Sequence, residues 1–274
     1  MKKIRCLLIL LILSFGLMEV YSDLTALPGW PVTLSRNAGE VLVSDIDKDG
    51  NNEVIVGDGD YVYIYTSTGI QQSYTWDAGD IQMSIGDINN DGYDEILAQS
   101  SSSVVALDYN LSVLWKKGTP GGPNTPVLAD LDGDGNREVI YGETSYWMYV
   151  KNGDGSDYPG WPYQTDEGTS CTAVVGKLKK HTSQYFITNN MSPYMYTWYP
   201  SGEVYISWYM FDIKIIKDRS YSSRSPVYAD IDNDGEYEII SAHHDATIKA
   251  WNPDGSFAKG FPYRLNYGTA NSVS

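Results

Sequence analysis

One nine-residue pattern occurs four times in this 274-residue chain and constrains the fold more than any other feature. The copies begin at Asp45, Asp87, Asp130 and Asp230. Each copy has an oxygen-bearing side chain at positions 1, 3, 5 and 9 and glycine at position 6, and an apolar run typical of a β-strand follows at once. The glycine permits a sharp turn in which a Cβ would clash. The pattern therefore predicts a tightly curled polar loop that enters a strand.

The spacing of the oxygens in these loops is the spacing that a hard cation requires. Calcium takes six to eight oxygens at roughly 2.3–2.6 Å, and alternate side chains of a curled loop can converge on one point. Position 7 would add its backbone carbonyl. Asx turns between strands are the alternative, because Asp, Asn and Gly favour turns. Four copies in register favour calcium, with about four ions held by Asp45, Asp47, Asp49, Asn51, Glu53, Asp87, Asn89, Asp91, Tyr93, Glu95, Asp130, Asp132, Asp134, Asn136, Glu138, Asp230, Asp232, Asp234, Glu236 and Glu238.

A fifth segment has the same flanking apolar runs as these loops but lacks their acidic residues. Taken from Gly176 with the same loop length, its positions 1, 3, 5 and 9 are Gly176, Leu178, Lys180 and Gln184. It carries no carboxylate at those positions, and Lys179 and Lys180 would repel a cation. We therefore expect a unit that keeps its fold and binds no metal.

The distance between successive loops predicts the architecture. The five loop starts are 42, 43, 46 and 54 residues apart, and each interval reads as four short strands. Repeats of about 40–50 residues with four strands each are typical of β-propeller blades. The sequence thus predicts an all-β propeller over residues 23–274, with blades at about 39–76, 81–117, 125–152, 170–208 and 225–252.

The stretch 268–274 repeats the entry to the fourth unit, since GTANSVS resembles GTSCTAV from Gly168. It predicts the first strand of a sixth blade, and hence an incomplete propeller. A strand-swapped closure with five blades is the alternative. Three connectors share an aromatic residue between two turn formers, and we expect their aromatic side chains to insert into the core: Trp30, Trp161 and Phe261.

The first 22 residues have the features of a cleavable secretion signal. A basic start precedes a 13-residue apolar core from Cys6 to Met18, which is shorter than the roughly 20 residues of a membrane span. We expect cleavage after Ser22, a mature chain without a transmembrane span, and a secreted, cell-surface or periplasmic location. Cys171 would then be the only cysteine, so the mature chain could form no intramolecular disulfide. Bound calcium would be the available means of cross-linking the fold.

The charge of the chain argues against nucleic acid as a partner. The formal net charge is −16, and positions 1, 3, 5 and 9 of the four loops hold 15 of the 35 acidic residues. No basic stripe with interleaved aromatic residues is present. Four calcium ions in the loops would leave about half of the formal net charge, so the loops explain much of the acidity.

The D-x-[DN]-x-D-G-x-x-E loops and the strands after them resemble the FG-GAP, or VCBS-type, repeats of integrin α-subunit propellers and their exported bacterial relatives. The resemblance covers about residues 24–274. It implies a propeller with calcium between strands 1 and 2 of each blade, and a role in adhesion, surface recognition or carbohydrate binding.

These features favour a binding module over an enzyme, with calcium in a structural role. A protein or carbohydrate ligand would bind the face opposite the loops, formed by the turns between strands 2 and 3. The candidate contact residues there are Tyr146, Trp147, His243, His244 and Asp245. The alternative is a fragment of a calcium-dependent propeller polysaccharide lyase or hydrolase, with His243, His244, Arg219 and Arg224 as base and substrate clamps. No nucleophile elbow, zinc spacing or spaced carboxylate pair outside the loops supports catalysis.

Overall fold

The computed structural model describes residues 26–265, apart from positions 35, 37, 60, 70, 76–78, 119–123, 166–170, 180–184, 192–193, 210–224 and 244. Within these residues the secondary structure is β throughout, with twenty strands and no helix. The segment 1–22, the stretch 268–274 and the residues Lys180, Gln184, Arg219, Arg224 and His244 lie outside this part of the chain.

The strands form five four-stranded antiparallel sheets, each built from four strands consecutive in sequence. Sheet 1 contains β1 (Val41–Ser44), β2 (Glu53–Gly57), β3 (Tyr61–Tyr65) and β4 (Gln71–Thr75). Sheet 2 contains β5 (Gln82–Gly86), β6 (Glu95–Gln99), β7 (Ser103–Leu107) and β8 (Val113–Gly118). Sheet 3 contains β9 (Val127–Ala129), β10 (Glu138–Glu143), β11 (Trp147–Lys151) and β12 (Tyr163–Gln164). Sheet 4 contains β13 (Val174–Gly176), β14 (Phe186–Met191), β15 (Tyr194–Trp198) and β16 (Val204–Tyr209), and sheet 5 contains β17 (Val227–Ala229), β18 (Glu238–Ala242), β19 (Thr247–Trp251) and β20 (Tyr263–Arg264).

The fourth strands of sheets 3 and 5 lie further along the chain than the sequence pattern indicates. The connectors that carry Trp161 and Phe261 continue directly into β12 and β20. These two units therefore extend to 164 and 264, beyond the expected bounds of 152 and 252. Both strands are only two residues long, which explains why no alternating pattern reveals them.

The sheets pack face to face in chain order, and their apolar residues form one cluster per interface. Sheets 1 and 2 share a cluster that includes Ile55 and Ile96, and sheets 2 and 3 share one that includes Leu97 and Val139. Sheets 3 and 4 meet around Trp198, and sheets 4 and 5 around Leu178 and Trp251. Each fully buried aliphatic side chain contributes about 1.5–3 kcal/mol. Burial on both faces explains the near-continuous apolar runs of strands such as β6 and β7.

An aromatic side chain near the fourth strand connects one sheet to the next. Trp115 donates from Nε1 to the carbonyl of Gly153 at 2.8 Å, and Trp161 donates to the carbonyl of Pro200 at 2.7 Å. Trp161 is 6% exposed, which confirms its predicted insertion into the core, whereas Trp30 and Phe261 are half-buried. These contacts fix the order in which neighbouring sheets stack, and so they place the loops between strands 1 and 2 side by side.

Candidate metal centres

Each acidic loop joins the first strand of a sheet to the second, and all four share one backbone conformation. The last residue of the first strand pairs with the loop glutamate in every case, as in Ala129 with Glu138. Glycine at position 6 has φ between 91° and 93°, a left-handed conformation that other residues rarely adopt. Position 4 is also left-handed in all four loops, at Lys48, Asn90, Gly133 and Asn233. The predicted sharp turn at glycine is therefore confirmed.

A repeated set of hydrogen bonds holds the acidic side chains inside the curl. The first aspartate of each loop accepts at Oδ2 from the N–H of the position-6 glycine, at 2.9–3.2 Å. The position-5 aspartate accepts at Oδ1 from the N–H of position 7, at 2.7–2.9 Å. Each of these contacts occupies one oxygen of its carboxylate. Some of the second oxygens accept a further hydrogen bond, such as Asp130 Oδ1 from the N–H of Gly133 at 2.6 Å.

The glutamate at position 9 is the buried member of each loop. Glu53, Glu95, Glu138 and Glu238 are 1–4% exposed, and each accepts at Oε2 from the N–H of position 2 at 2.7–3.3 Å. Burial, together with the charges of the loop aspartates, raises the pKa of Glu95 and of Glu138 to about 7 against the opposing effect of the backbone hydrogen bond. The same causes raise the pKa of Glu53 and of Glu238. The ionised form is thus disfavoured until a positive charge joins the loop.

The carboxylate oxygens converge to the size of a calcium coordination sphere. Ligand oxygens lie within 4.8 Å of one another in three groups: Asp45 with Asp47 and Glu53, Asp130 with Asp132 and Glu138, and Asp230 with Asp232 and Asp234. Two oxygens on opposite sides of one calcium ion lie about 5 Å apart. The donor set therefore fits calcium in both chemistry and dimension.

A second observation points to a ligand in the first and the last acidic loop. The Oδ1 atoms of Asp45 and Asp230 are buried from solvent and have no hydrogen-bond partner among the described residues. A buried carboxylate oxygen without a partner costs several kcal/mol unless a cation satisfies it. Both atoms belong to position 1, the residue that leads every copy of the pattern.

The second loop differs from the others because position 3 is Asn89. Its Nδ2 donates to Asp91 Oδ2 at 3.0 Å, and its Oδ1 accepts from the N–H of Asp91 at 2.9 Å. The amide thus partly compensates a neighbouring carboxylate, a function that the aspartate of the other loops cannot serve. At positions 1, 3, 5 and 9 this loop has three carboxylates where the others have four.

The side chains at position 7 all contact other side chains. The amides of Asn51 and Asn136 donate to the position-5 aspartates at 3.0 and 2.9 Å. Tyr93 stacks on Tyr109 with ring centroids 4.6 Å apart, and Glu236 pairs with Lys179 at 2.8 Å. Position 7 can therefore contribute its backbone carbonyl, as expected, and not its side chain.

The register of sheet 4 corrects the alignment of the segment without acids. Gly176 is the last residue of β13 and pairs with Phe186, so these two residues correspond to Ala129 and Glu138. Lys177, rather than Gly176, then takes the place of the leading aspartate, and the loop is one residue longer than its relatives. Leu178 is 1% exposed, like Ile46 and Ile88 at position 2 of their loops. An ammonium group replaces the first carboxylate and an apolar ring replaces the buried glutamate, which opposes metal binding.

The turns between strands 2 and 3 lie at the opposite ends of the sheets, as predicted. Tyr146 is 47% exposed there with φ of 74°, and Trp147 is half-buried. Asp245 caps its own turn by accepting from the N–H of Thr247 at 3.0 Å. His243 is fully buried against Trp251, so its predicted contact with a surface ligand is wrong. His243 begins the turn between strands 2 and 3 of sheet 5. The residues at the equivalent position in sheets 1 to 3 are also buried, namely Asp58, Ser100 and Glu143.

Two contacts near the loops leave no signal in the spacing of the sequence. Tyr158 of the connector that carries Trp161 donates from its hydroxyl to Asp132 Oδ2 at 3.4 Å, from 26 residues away. A cleft of about 740 Å³ beside the same loop is lined by Asp132, Arg137, Lys177 and Tyr185 among others. The first contact lies within sheet 3 and the cleft lies between sheets 3 and 4, and the loop pattern encodes neither.

Comparison with known proteins supports the fold alone. No family model matches the chain, and no curated protein matches it. No helix in the described part of the chain is long and apolar enough to cross a membrane.

Solved structures resemble the chain at low sequence identity. BBS1N in complex with ARL6DN, from a crystal soaked with mercury, is 14% identical with a TM-score of 0.58, over 89% of this chain and 72% of that chain. A crystal of the same complex soaked with lead is 12% identical with a TM-score of 0.57, over 85% of this chain and 68% of that chain. The quinohemoprotein alcohol dehydrogenase from Comamonas testosteroni is 11% identical with a TM-score of 0.56, over 87% and 46%. With the five four-stranded sheets, the likeness to BBS1N supports a β-propeller fold for this chain.

Proposed function

We propose that the chain is an exported, calcium-binding β-propeller module of the FG-GAP or VCBS type that recognises a protein or carbohydrate ligand. The convergence of carboxylates in the acidic loops is the observation that carries this proposal. Calcium in these loops is structural: each site ties the first strand of a sheet to the second, through Asp130 at one end of the loop and Glu138 at the other. The oxygens at positions 1, 3, 5 and 9 and the carbonyl of position 7 would hold the ion.

The proposed ligand face is the set of turns between strands 2 and 3, because the loops occupy the other ends of the sheets. Tyr146 and Trp147 are the best-placed contact residues, since Tyr146 projects an exposed ring and Trp147 starts β11 beside it. BBS1N, which shares this chain's fold, was crystallised in complex with the protein ARL6DN. That precedent favours a protein ligand for the module proposed here.

Calcium titration of the purified protein tests the first half of this proposal. Calorimetry should show about four sites, none of them in the segment between Gly176 and Phe186. Lys177→Ala is the matched control: it removes a charge without removing a ligand, and the number of sites should not change. A stoichiometry of zero would remove calcium from the proposal, and a fifth site abolished by changes in this segment would contradict the assignment of sheet 4.

The recognition half requires a binding experiment with a surface variant. Immobilised glycans and candidate cell-surface proteins should retain the wild type, and Tyr146→Ala should reduce retention while leaving calcium stoichiometry unchanged. Tyr93→Ala, at an exposed aromatic residue on the loop side, is the matched control. Equal loss in both variants would place the ligand elsewhere. Release of unsaturated product from acidic polysaccharides would instead favour the lyase alternative.

A further inference from the structure

Sheets 3 and 5 are near copies at a distance of 100 residues, yet one is covered and the other is not. Their loops begin at Asp130 and Asp230, and their connectors carry Trp161 and Phe261. The position-2 side chain of sheet 3, Leu131, packs against sheet 4 and is 6% exposed. Its counterpart Ile231 is 39% exposed. The other three described position-2 residues, in sheets 1, 2 and 4, are at most 1% exposed.

The same contrast continues across the face of the sheet. Ile140 and Met148 are fully buried in the cluster between sheets 3 and 4. Their counterparts Ile240 and Ile248 are only half-buried. Tyr263 of β20 is 54% exposed. Sheet 5 thus presents an apolar face whose residues, in the equivalent sheet, form the contact with the next sheet.

The connector of sheet 5 also lacks the neighbour that the other connectors have. A Cβ on Gly160 would lie 1.8 Å from the carbonyl oxygen of Ser201, in the turn between the third and fourth strands of sheet 4. The first connector makes the same approach at Gly29, 1.9 Å from the carbonyl oxygen of Thr68. No described atom lies within 4 Å of such a Cβ on Gly260. Among the described residues, nothing therefore takes the place beside sheet 5 that sheet 4 takes beside sheet 3.

The residues that first cover sheet 3 indicate what covers sheet 5. Cys171 and Ala173, which lead into β13, are buried, and Ala173 packs in the cluster with Leu131. Residues 268–274 lie outside the described part of the chain and repeat this segment in sequence, with Gly268 and Thr269 matching Gly168 and Thr169. Val273 falls at the position of Ala173.

We propose that the outer face of sheet 5 is the docking surface for residues 268–274, with Val273 packed against Ile231 and Ile240. Two matches in sequence identify this segment as the occupant. The residues on the covered face of sheet 3 match those on the outer face of sheet 5 at a distance of 100 positions. The segment that follows sheet 3 matches the segment that follows sheet 5 at the same distance. The phenyl ring of Phe261 lacks the N–H of the Trp161 indole, so the occupant need not supply the carbonyl that Pro200 supplies to Trp161. The inference concerns packing and holds whether or not the loops bind calcium.

Thiol labelling of the full chain tests this docking. Ile231→Cys, in a background with Cys6→Ser and Cys171→Ser, places one reporter on the face. Val273→Asp should accelerate maleimide labelling of this thiol several-fold, since a charge would not pack on an apolar face. Ser272→Asp is the matched control: alternate residues of a strand point to opposite faces, so labelling should stay unchanged. A thiol placed at Ala98, a fully buried residue of sheet 2, reports any general loosening.

Three results would overturn the proposal. Equal labelling rates in the Val273→Asp and Ser272→Asp variants would show that the segment does not cover Ile231. Protection that rises with protein concentration would identify a second copy of the chain as the occupant. Acceleration at Ala98 as well as at position 231 would show that the substitution unfolds the protein rather than undocks the segment.

Discussion

Lys48 of the first loop and Asp94 of the second form an ion pair with 2.8 Å between Nζ and Oδ2. The same Asp94 oxygen accepts a hydrogen bond from Ser44 Oγ at 2.8 Å, so two residues of sheet 1 hold one carboxylate of sheet 2. Burial raises the pKa of Asp94, but the bonds from Lys48 and Ser44 outweigh it and hold the pKa below its usual value. Two proposed calcium sites are thereby joined at their edges.

Loss of this junction should cost little stability. Lys48 is 43% exposed at its side chain, and exposed pairs contribute about 0–1 kcal/mol. We expect Lys48→Met to lower the free energy of unfolding by less than about 1 kcal/mol, and Asp94→Asn by somewhat more because it also weakens the bond to Ser44. Because the folded pKa of Asp94 is lowered, its contribution is present above the unfolded pKa and disappears as the pH falls. A double-mutant cycle by urea unfolding at two salt concentrations measures the pair. A coupling energy insensitive to salt would show that the pair is not governed by screened charge.

The buried glutamates predict an inverted pH dependence for the metal-free protein. The folded pKa of Glu138 is about 7, above the ordinary value of 4.5, so the folded state binds the extra proton. Stability from this proton is complete below about pH 4.5 and is lost as the pH rises to about 7, which amounts to roughly 3 kcal/mol for Glu138. In EDTA, Glu138→Gln should remove this share of the pH dependence, and Glu203→Gln, at an exposed residue of sheet 4, should not. Identical pH profiles for wild type and Glu138→Gln would contradict the assignment.

The second loop should bind calcium most weakly of the four. Asn89 leaves it one carboxylate short, and the number of charged ligands tunes calcium affinity. We expect Asn89→Asp to strengthen this site, and the matched change Asp132→Asn to weaken the third site by a similar factor. Site-resolved titration, by NMR of the position-6 glycine amides, separates the four loops. Earliest filling of the Gly92 site in the wild type would show that charge count does not set the order.

The loops could be predicted from the sequence because their function depends on local spacing. Oxygen atoms at positions 1, 3, 5 and 9 converge within one turn of chain, and Gly50 and its equivalents permit that turn. The contact of Lys48 with Asp94 was not predictable, because sheet packing brings together two residues 46 positions apart.

The errors have a similar origin in tertiary structure. His243 stands in a polar turn by sequence, but the packing of Trp251 buries it. The segment after Gly176 is one residue longer than a calcium loop, and only the pairing of Gly176 with Phe186 reveals the true register. Local pattern therefore indicates which side chains can share a ligand, whereas the strand pairing decides which positions are equivalent.

Calcium should stabilise the folded protein through selective binding, and Asp134 provides the sharpest test. Its two carboxylate oxygens accept from the N–H and the amide of Asn136 at 2.7 and 2.9 Å, so it holds the turn as well as the proposed ion. A site contributes about 2.7 kcal/mol when free calcium is a hundredfold above Kd. We expect the wild type to melt at a higher temperature in millimolar calcium than in EDTA. Asp134→Ala should lower the Tm markedly in calcium and only slightly in EDTA.

The control for this experiment is Asp157→Ala, an exposed acid of the same sheet outside the loops, which should shift the Tm equally in both buffers. The difference between the two buffers isolates the ion from the turn, since the hydrogen bonds to Asn136 are lost in either condition. Because repeated sheets depend mainly on their neighbours, hydrogen exchange in the Asp134→Ala variant should rise first in β9 and β10. If the wild-type Tm is the same in calcium and in EDTA, calcium does not stabilise the fold, and the four loops are acidic turns that hold no metal.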